Sequence, residues 1–153
     1  METKSHIKHF NQLSLLEFYD IAALRCQVFI MEQNCLYKDL DGVDKLSHHI
    51  YYTNNKNEII ATARIIPPGL TYPDMASIGR VLVAMDFRKF KIGREMMEKS
   101  IDFVKITYPQ KSIKIGAQQY LEKFYTSLGF VSNGNYYLED NLPHVHMILK
   151  NSQ

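Results

Sequence analysis

The residues best suited to chemistry lie in "RKFKIGR", where Arg88, Lys89, Lys91 and Arg94 surround Phe90, Ile92 and Gly93. An apolar run precedes this segment and an amphipathic one follows it, which spells strand, turn and helix start. A helix start offers N–H groups without intrahelical partners and the positive end of the helix dipole, so phosphate binds there readily. Gly93 lacks the side chain that would hold a phosphate off the backbone, and Arg88 adds a planar fork of donors. Taken alone, the same residues also describe an ordinary solvated turn.

Other side chains invite metal or ion-pair chemistry. His144 and His146, two apart in "HVHMILK", share one face of a probable strand. Such a pair suits zinc, but no third ligand is evident, so no metal is expected. The acidic "DLDGVD" suggests calcium. Setting Gly42 at the sixth position of a calcium loop puts Tyr37 first and His48 twelfth, and both fail as ligands. Asp39, Asp41 and Asp44 are expected instead to pair with Arg25, Arg64 or Arg80, or to face an amine. Arg64 and Arg80 are alternatively candidates to hold a substrate carboxylate. Cys26 reads as a small core residue and Cys35 as a loop thiol.

The elements that must position these groups follow from periodicity and punctuation. "SHIKHF" reads as a first strand. Ser14 and Glu17 have capping-box spacing, and Phe18, Ile21, Leu24 and Val28 follow at helical spacing. "HHIYYT" and "IIATARII" flank the turn "NNKNE" as a hairpin, and "ASIGRVLVAM" is another strand. The helix from about Gly93 is expected to bury Met97, Ile101, Val104 and Tyr108, with Glu95 and Lys99 paired outside. "KSIKIG" alternates as a strand, "YLEKFYTSLGF" is a short helix with Gly129 just past its end, and "NYYLE" and "HVHMILK" are strands. The result is an α/β domain with a mixed sheet, read as one domain over residues 1–153.

Composition bounds the function. With 153 residues, 46% hydrophobic and 22% charged, the chain suits one soluble domain with a full core. A net charge of +2 is too small for a chain that lives on nucleic acid. "METKSHIKHF" lacks a signal-peptide core, and no apolar run has membrane-spanning length. Two cysteines without CxxC spacing fit a reducing cytoplasm.

Two segments in order carry a family resemblance. "RKFKIG" resembles the Arg/Gln-x-x-Gly-x-Gly/Ala loop of the GNAT acetyltransferases, matching at Arg88 and Gly93 with Lys91 where the first Gly is usual. "AQQYLEKFYTSLGF" resembles their Asn-x-x-Ala-x-x-Leu-Tyr-x-x-x-Gly-Phe pattern. Gln118, Leu121 and Phe124 are substituted there, while Tyr125, Gly129 and Phe130 are kept. With "LRCQVFIMEQNCLYKDLDGVD", "ATARII", "IGRVLV" and "LPHVHM", the likeness narrows to the ElaA-type branch and spans nearly the whole chain.

The resemblance implies the GNAT fold: a mixed, mostly antiparallel sheet with splayed fourth and fifth strands, flanked by helices. It implies acetyl-CoA (CoA) as cofactor, with Leu82 and Val83 beside the pantetheine arm. The pyrophosphate would lie on Phe90, Lys91, Ile92, Gly93 and Arg94, aided by Arg88 and Lys89. Gln118 and Phe124 would adjoin the cofactor, and Tyr125 would protonate the departing thiolate. The general base stays open between His49, His144, Glu139 and a water chain, because Ile78 and Gly79 stand where some relatives place a Glu. Direct attack by a primary amine, of a small molecule or a peptide, is the implied reaction; a catalytically idle acyl-CoA-binding module is the alternative. Neither nucleic acid nor membrane is expected as a partner, and a homodimer is left open.

Overall fold

The alternations in the sequence become seven strands in a computed structural model that describes residues 2–151. β1 (Lys4–His9), β2 (His48–Thr53), β3 (Ile59–Ile66) and β4 (Ser77–Val83) form one antiparallel sheet in that order. β5 (Ile113–Gln118), β6 (Val131–Glu139) and β7 (Leu142–Leu149) form a second, with β7 in the middle. The continuous apolar run of β3 marks a strand covered on both faces, and both longer helices pack against it.

The two sheets touch through one parallel bridge, between Ala76 and Ile113. The Ala76 N–H donates to the Ser112 carbonyl at 3.0 Å, and the Lys114 N–H donates to the Ala76 carbonyl at 2.9 Å. Past that bridge no ladder joins β4 to β5, and a gap opens between them. The expected splayed α/β architecture is therefore present. Among the described residues no helix is long and apolar enough to cross a membrane.

α2 (Ile92–Thr107) follows β4 and buries Met96, Met97, Ile101 and Val104 on one face. Glu95 and Lys99 pair at 3.7 Å on the other, and Tyr108 lies half-buried just past the helix end. α1 (Leu15–Arg25) begins with the expected capping box. Ser14 Oγ accepts from the Glu17 N–H at 3.0 Å, and Glu17 Oε1 accepts from the Ser14 N–H at 2.8 Å. The helix then widens into a π-helix over Cys26–Glu32. The buried stripe continues through it from Ile21 and Arg25 to Val28. Cys26, expected in the core, lies one residue off that stripe and is exposed, while Arg25 is buried.

Arg25 is buried because carboxylates come to meet it. Its Nε lies 2.9 Å from Asp39 Oδ2 and its Nη1 2.7 Å from Asp44 Oδ1. Arg64 Nη1 reaches Asp41 at 2.8 Å and Asp44 at 3.1 Å. Arg80 Nε lies 2.8 Å from Asp39 Oδ1 as an ion pair, off the hydrogen-bond line. Three arginines from α1, β3 and β4 thus pin the acidic loop across the sheet. Burial works to raise the pKa of Asp44, but hydrogen bonds and charge from Arg25 and Arg64 outweigh it and hold that carboxyl low. Removing one partner of such a buried set strands the other.

Arg25→Met should therefore lose about 3–5 kcal/mol of stability, lowering the melting temperature by about 10 °C. A depressed carboxyl pKa stabilises the fold above the unfolded value, near ~3.9, and that stability is lost as pH falls below it. Melts of both proteins between pH 7 and pH 3 check the point. An Arg25→Met melt equal to wild type at pH 7 would show that the cluster is energetically idle.

Candidate functional site

The gap between β4 and β5 widens into a cleft of about 720 Å³. Residues of β4 (Ser77 to Val81) and β5 (Ile115, Gly116, Gln118) line it, with the acidic loop on one side and the β6–β7 end on the other. That end is a tight turn at Asp140 and Asn141, with φ of 50° and 64°, the geometry favoured in two-residue hairpins.

A bulge aims the edge of β4. Thr62 pairs with Leu82 but Arg64 pairs with Gly79, so Arg80 and Val81 together oppose Ala63. Arg80 takes a φ of 50° to make the step. Beyond the bulge the Ala84 N–H donates to the Ile60 carbonyl at 2.8 Å. Alternation then puts Leu82 in the β3 ladder and turns the polar groups of Val83 the other way. The Val83 carbonyl accepts from Arg88 Nε at 2.9 Å, and its N–H faces the gap. Of the two backbone contacts expected for pantetheine, that of Val83 is geometrically open and that of Leu82 is not.

The basic turn is a 3₁₀ segment, Met85–Phe90, leading into α2. Lys91 caps α2 with φ 60°, ψ 23° and contributes no side-chain hydrogen bond. The N–H groups of Ile92, Gly93 and Arg94 therefore lack intrahelical partners. Glu95 is the first to close, on the Lys91 carbonyl at 3.3 Å. A Cβ on Gly93 would lie 3.6 Å from Val83 Cγ2, so glycine also lets the helix start against the end of β4. The side chains behave differently from expectation. Arg88, assigned to phosphate, gives its fork to Glu32 and the Val83 carbonyl. Arg94 ties to Ser127 Oγ at 2.8 Å, and Lys89 lies over the Phe90 ring. An anion here would rest on backbone more than on arginine.

Tyr125 sits on α3 (Glu122–Ser127). Its buried ring packs edge-on to Phe124 and Phe130. The residue lines the cleft, and its hydroxyl has no hydrogen-bond partner among the described residues. Burial, then the neighbouring Tyr120, pushes its pKa up to about 12. It is a neutral donor at physiological pH. Phe124 stands half-buried beside it, off the cleft wall, while Gln118 lines the cleft with Nε2 3.4 Å from Gln33 Oε1.

The three proposed bases separate cleanly. His144 lines the cleft from β7 with Nδ1 2.8 Å from the Leu142 carbonyl. A carbonyl only accepts, so Nδ1 carries a proton, and in the neutral ring the lone pair is on Nε2. That Nε2 lies 3.5 Å from Glu139 Oε2. His49 is elsewhere: it is buried beneath the acidic loop against Phe10 and Phe18, with Nε2 3.0 Å from the Asp44 carbonyl. Burial lowers its pKa. Having no cleft exposure, it is corrected from candidate base to a support of the loop. Arg64 and Arg80 do line the cleft, but the Asp pairs already engage them, which argues against their holding a substrate carboxylate.

Sequence reasoning missed the aromatic wall. A Cβ on Gly116 would lie 2.7 Å from Tyr137 Oη and 3.6 Å from Tyr72 Oη, so two hydroxyls converge over this glycine. His146 completes the group, its ring 4.7 Å from that of Tyr137. The glycine ending "KSIKIG" was the available signal, since glycine inside a strand marks a close approach.

The profile of the acetyltransferase (GNAT) domain matches residues 17–151. The chain is 37% identical to protein ElaA of Escherichia coli over 140 residues, 91% of each chain. The crystal structure of Escherichia coli ElaA superposes with a TM-score of 0.90 at 35% identity, covering 97% of this chain and 100% of that one. An acyl-CoA N-acyltransferase from Pseudomonas aeruginosa superposes equally, with a TM-score of 0.90 at 30% identity, over 96% and 99% of the two chains.

Gly116→Ala should push the Tyr137 hydroxyl aside and lower stability by about 1 kcal/mol, the low end for overpacking. Adding Tyr137→Phe removes the clashing oxygen and should restore most of the loss. Thermal melts of the single and double variants decide it, and no recovery in the double variant would refute the contact.

Proposed function

Since the chain belongs to the GNAT acetyltransferase family and its ElaA-type branch, we propose that it transfers an acetyl group from acetyl-CoA to a primary amine, by direct attack with both substrates bound. The observation that carries this is the open edge of β4 running into an uncapped helix start, with Tyr125 on the wall of the cleft that opens where β4 and β5 part. Acetyl-CoA supplies an activated acetyl thioester. The backbone of Ile92, Gly93 and Arg94 would hold its diphosphate, and the Val83 N–H would hydrogen-bond alongside. A donor aimed at developing negative charge contributes roughly 3 kcal/mol.

The proton roles follow from magnitudes. A thiol titrates near ~8.5, whereas Tyr125 stands at about 12. The burial that raises Tyr125 would raise a thiol beside it as well, so the tyrosine stays the weaker acid and full transfer to the thiolate runs uphill. Tyr125 therefore stabilises the sulfur by donating a hydrogen bond, worth about 2 kcal/mol to a charged acceptor, and keeps its proton. His144 Nε2 takes the proton that the ammonium must lose to attack, Glu139 pairs with the imidazolium, and the second proton, lost from nitrogen as the C–S bond breaks, leaves on the sulfur as the CoA thiol. The prepared tautomer of His144 favours an enzyme over an idle acyl-CoA-binding module. The proposal carries residues 1–153 as one catalytic domain working in the cytoplasm on a small-molecule or peptide amine, without nucleic acid.

Gly93→Val would set branched carbons beside Val83 and over the free N–H groups. Calorimetric titration with acetyl-CoA should show a tenfold or larger loss of affinity, about 1.4 kcal/mol; equal affinity would move the diphosphate elsewhere. Tyr125→Phe keeps the ring but deletes the donor. Release of CoA thiol across a panel of primary amines should show kcat lower by roughly 30-fold, the equivalent of one such hydrogen bond, with the Michaelis constant for acetyl-CoA little changed. A kcat within threefold of wild type would reduce Tyr125 to packing. Absence of thiol release with every amine, despite acetyl-CoA binding, would leave the idle module.

A further inference from the structure

Arg64 carries a donor that the fold does not use. The residue is only 5% exposed, and both terminal nitrogens are engaged. Nη1 bonds Asp41 and Asp44, and Nη2 bonds Asp41 Oδ2 at 2.9 Å. Its buried Nε–H has no hydrogen-bond partner among the described residues. Buried donors nearly always find an acceptor, so an orphan beside a cleft is informative. What lies over it on the cleft side is the bare backbone of Gly79 on β4, which carries no side chain. A Cβ there would start 4.0 Å from Arg64 Nε, and both residues line the cleft.

The surrounding charge selects what can take that donor. Arg25, Arg64 and Arg80 are matched formally by Asp39, Asp41 and Asp44, so the cluster is neutral as a set. Glu139 and Asp140 then add two formal negative charges at the β6–β7 end of the same cleft. Cys35, on the cleft wall, senses this field. Burial pushes its thiol pKa up, and Asp140 and Glu139 push it further. A ligand carboxylate would meet net negative charge from the lining residues, with Lys114, over the Tyr72 ring, as a cation outside that lining. A protonated amine is drawn in by the same field.

Building on the acetyl transfer proposed above, we propose that the acceptor is a cationic amine bearing a neutral carbonyl near its nitrogen, as in an amino-acid amide or a peptide amino terminus, whose oxygen accepts from Arg64 Nε, and that free amino acids are excluded. The amine then lies toward His144 and Glu139 and the carbonyl toward Gly79. Tyr37, Tyr72, Tyr120 and Tyr137 supply flat walls for the remainder.

The test uses three probes that differ at one group: phenylalanine amide, phenethylamine and phenylalanine. Each is titrated calorimetrically into the protein in millimolar CoA, so the ranking does not depend on turnover. The amide should bind at least tenfold more tightly than phenethylamine, which lacks the carbonyl, and more tightly still than phenylalanine. Gly79→Ala places a methyl in front of Nε at an ordinary contact distance, and should shrink the advantage of the amide over phenethylamine to less than threefold. Phenylalanine binding as tightly as its amide overturns the proposal. So does an amide equal to phenethylamine, an amide that fails to bind, or an advantage that survives Gly79→Ala. Thiol release measured separately keeps the two proposals apart: the predicted ranking without turnover sinks catalysis alone, and turnover with the wrong ranking sinks this inference alone.

Discussion

Everything at the site depends on a ladder that stops. β4 and β5 share hydrogen bonds at Ala76 and then part, although an unpaired strand edge inside a protein is costly. The chain satisfies part of that edge itself, since Arg88 donates to the carbonyl of Val83. The N–H of the same residue is left facing the gap. The bulge at Arg80 decides which groups of β4 point there, and Gly93 lets the next helix begin close by. Splay, bulge and helix start form one continuous polar edge, assembled from backbone rather than from side chains.

The acidic loop supplies the opposite wall, and its hold on the sheet is electrostatic. Burying Arg25 and Arg64 with Asp39 and Asp44, while Arg80 and Asp41 stay at the margin, gains little net stability, since desolvation offsets most of the attraction. What the arrangement fixes is position: the loop cannot slide without stranding a charge. His49 adds a contact to the Asp44 carbonyl from below, and Tyr37 donates to Asp39 from the side. The cluster pins α1, β3 and β4 to the loop that forms one wall of the cleft.

Much of the fold was legible because local pattern and tertiary environment agree. The alternation of "KSIKIG", the unbroken apolar run of "IIATARII" and the capping box at Ser14 each give one answer. Gly93 and Tyr125 were legible because their chemistry depends on residue type at fixed spacing. The remainder depended on contacts distant in sequence. Nothing near His49 reveals that residues 39–44 lie over it, so it looked as available as His144. The exposure of Cys26 follows from the buried stripe taking Arg25, a charged residue whose partners lie 14 and 19 residues away. The choice of Val83 over Leu82 rests on a bulge, and the Tyr137 hydroxyl over Gly116 joins two different strands. Arg88 fitted a phosphate by type, yet Glu32, 56 residues away in the chain, already holds it.

The two long helices begin in opposite ways. α1 is closed by its own Ser14 and Glu17. α2 begins at a left-handed lysine that caps nothing, forgoing about 1 kcal/mol that a Ser or Asp cap would contribute and accepting roughly 1–2 kcal/mol of backbone strain. The helix packed against the centre of the sheet is thus left unfinished at its first turn. Any anion that finishes it becomes a structural part of the protein while bound, and its occupancy is thermodynamically linked to the order of the helix it completes.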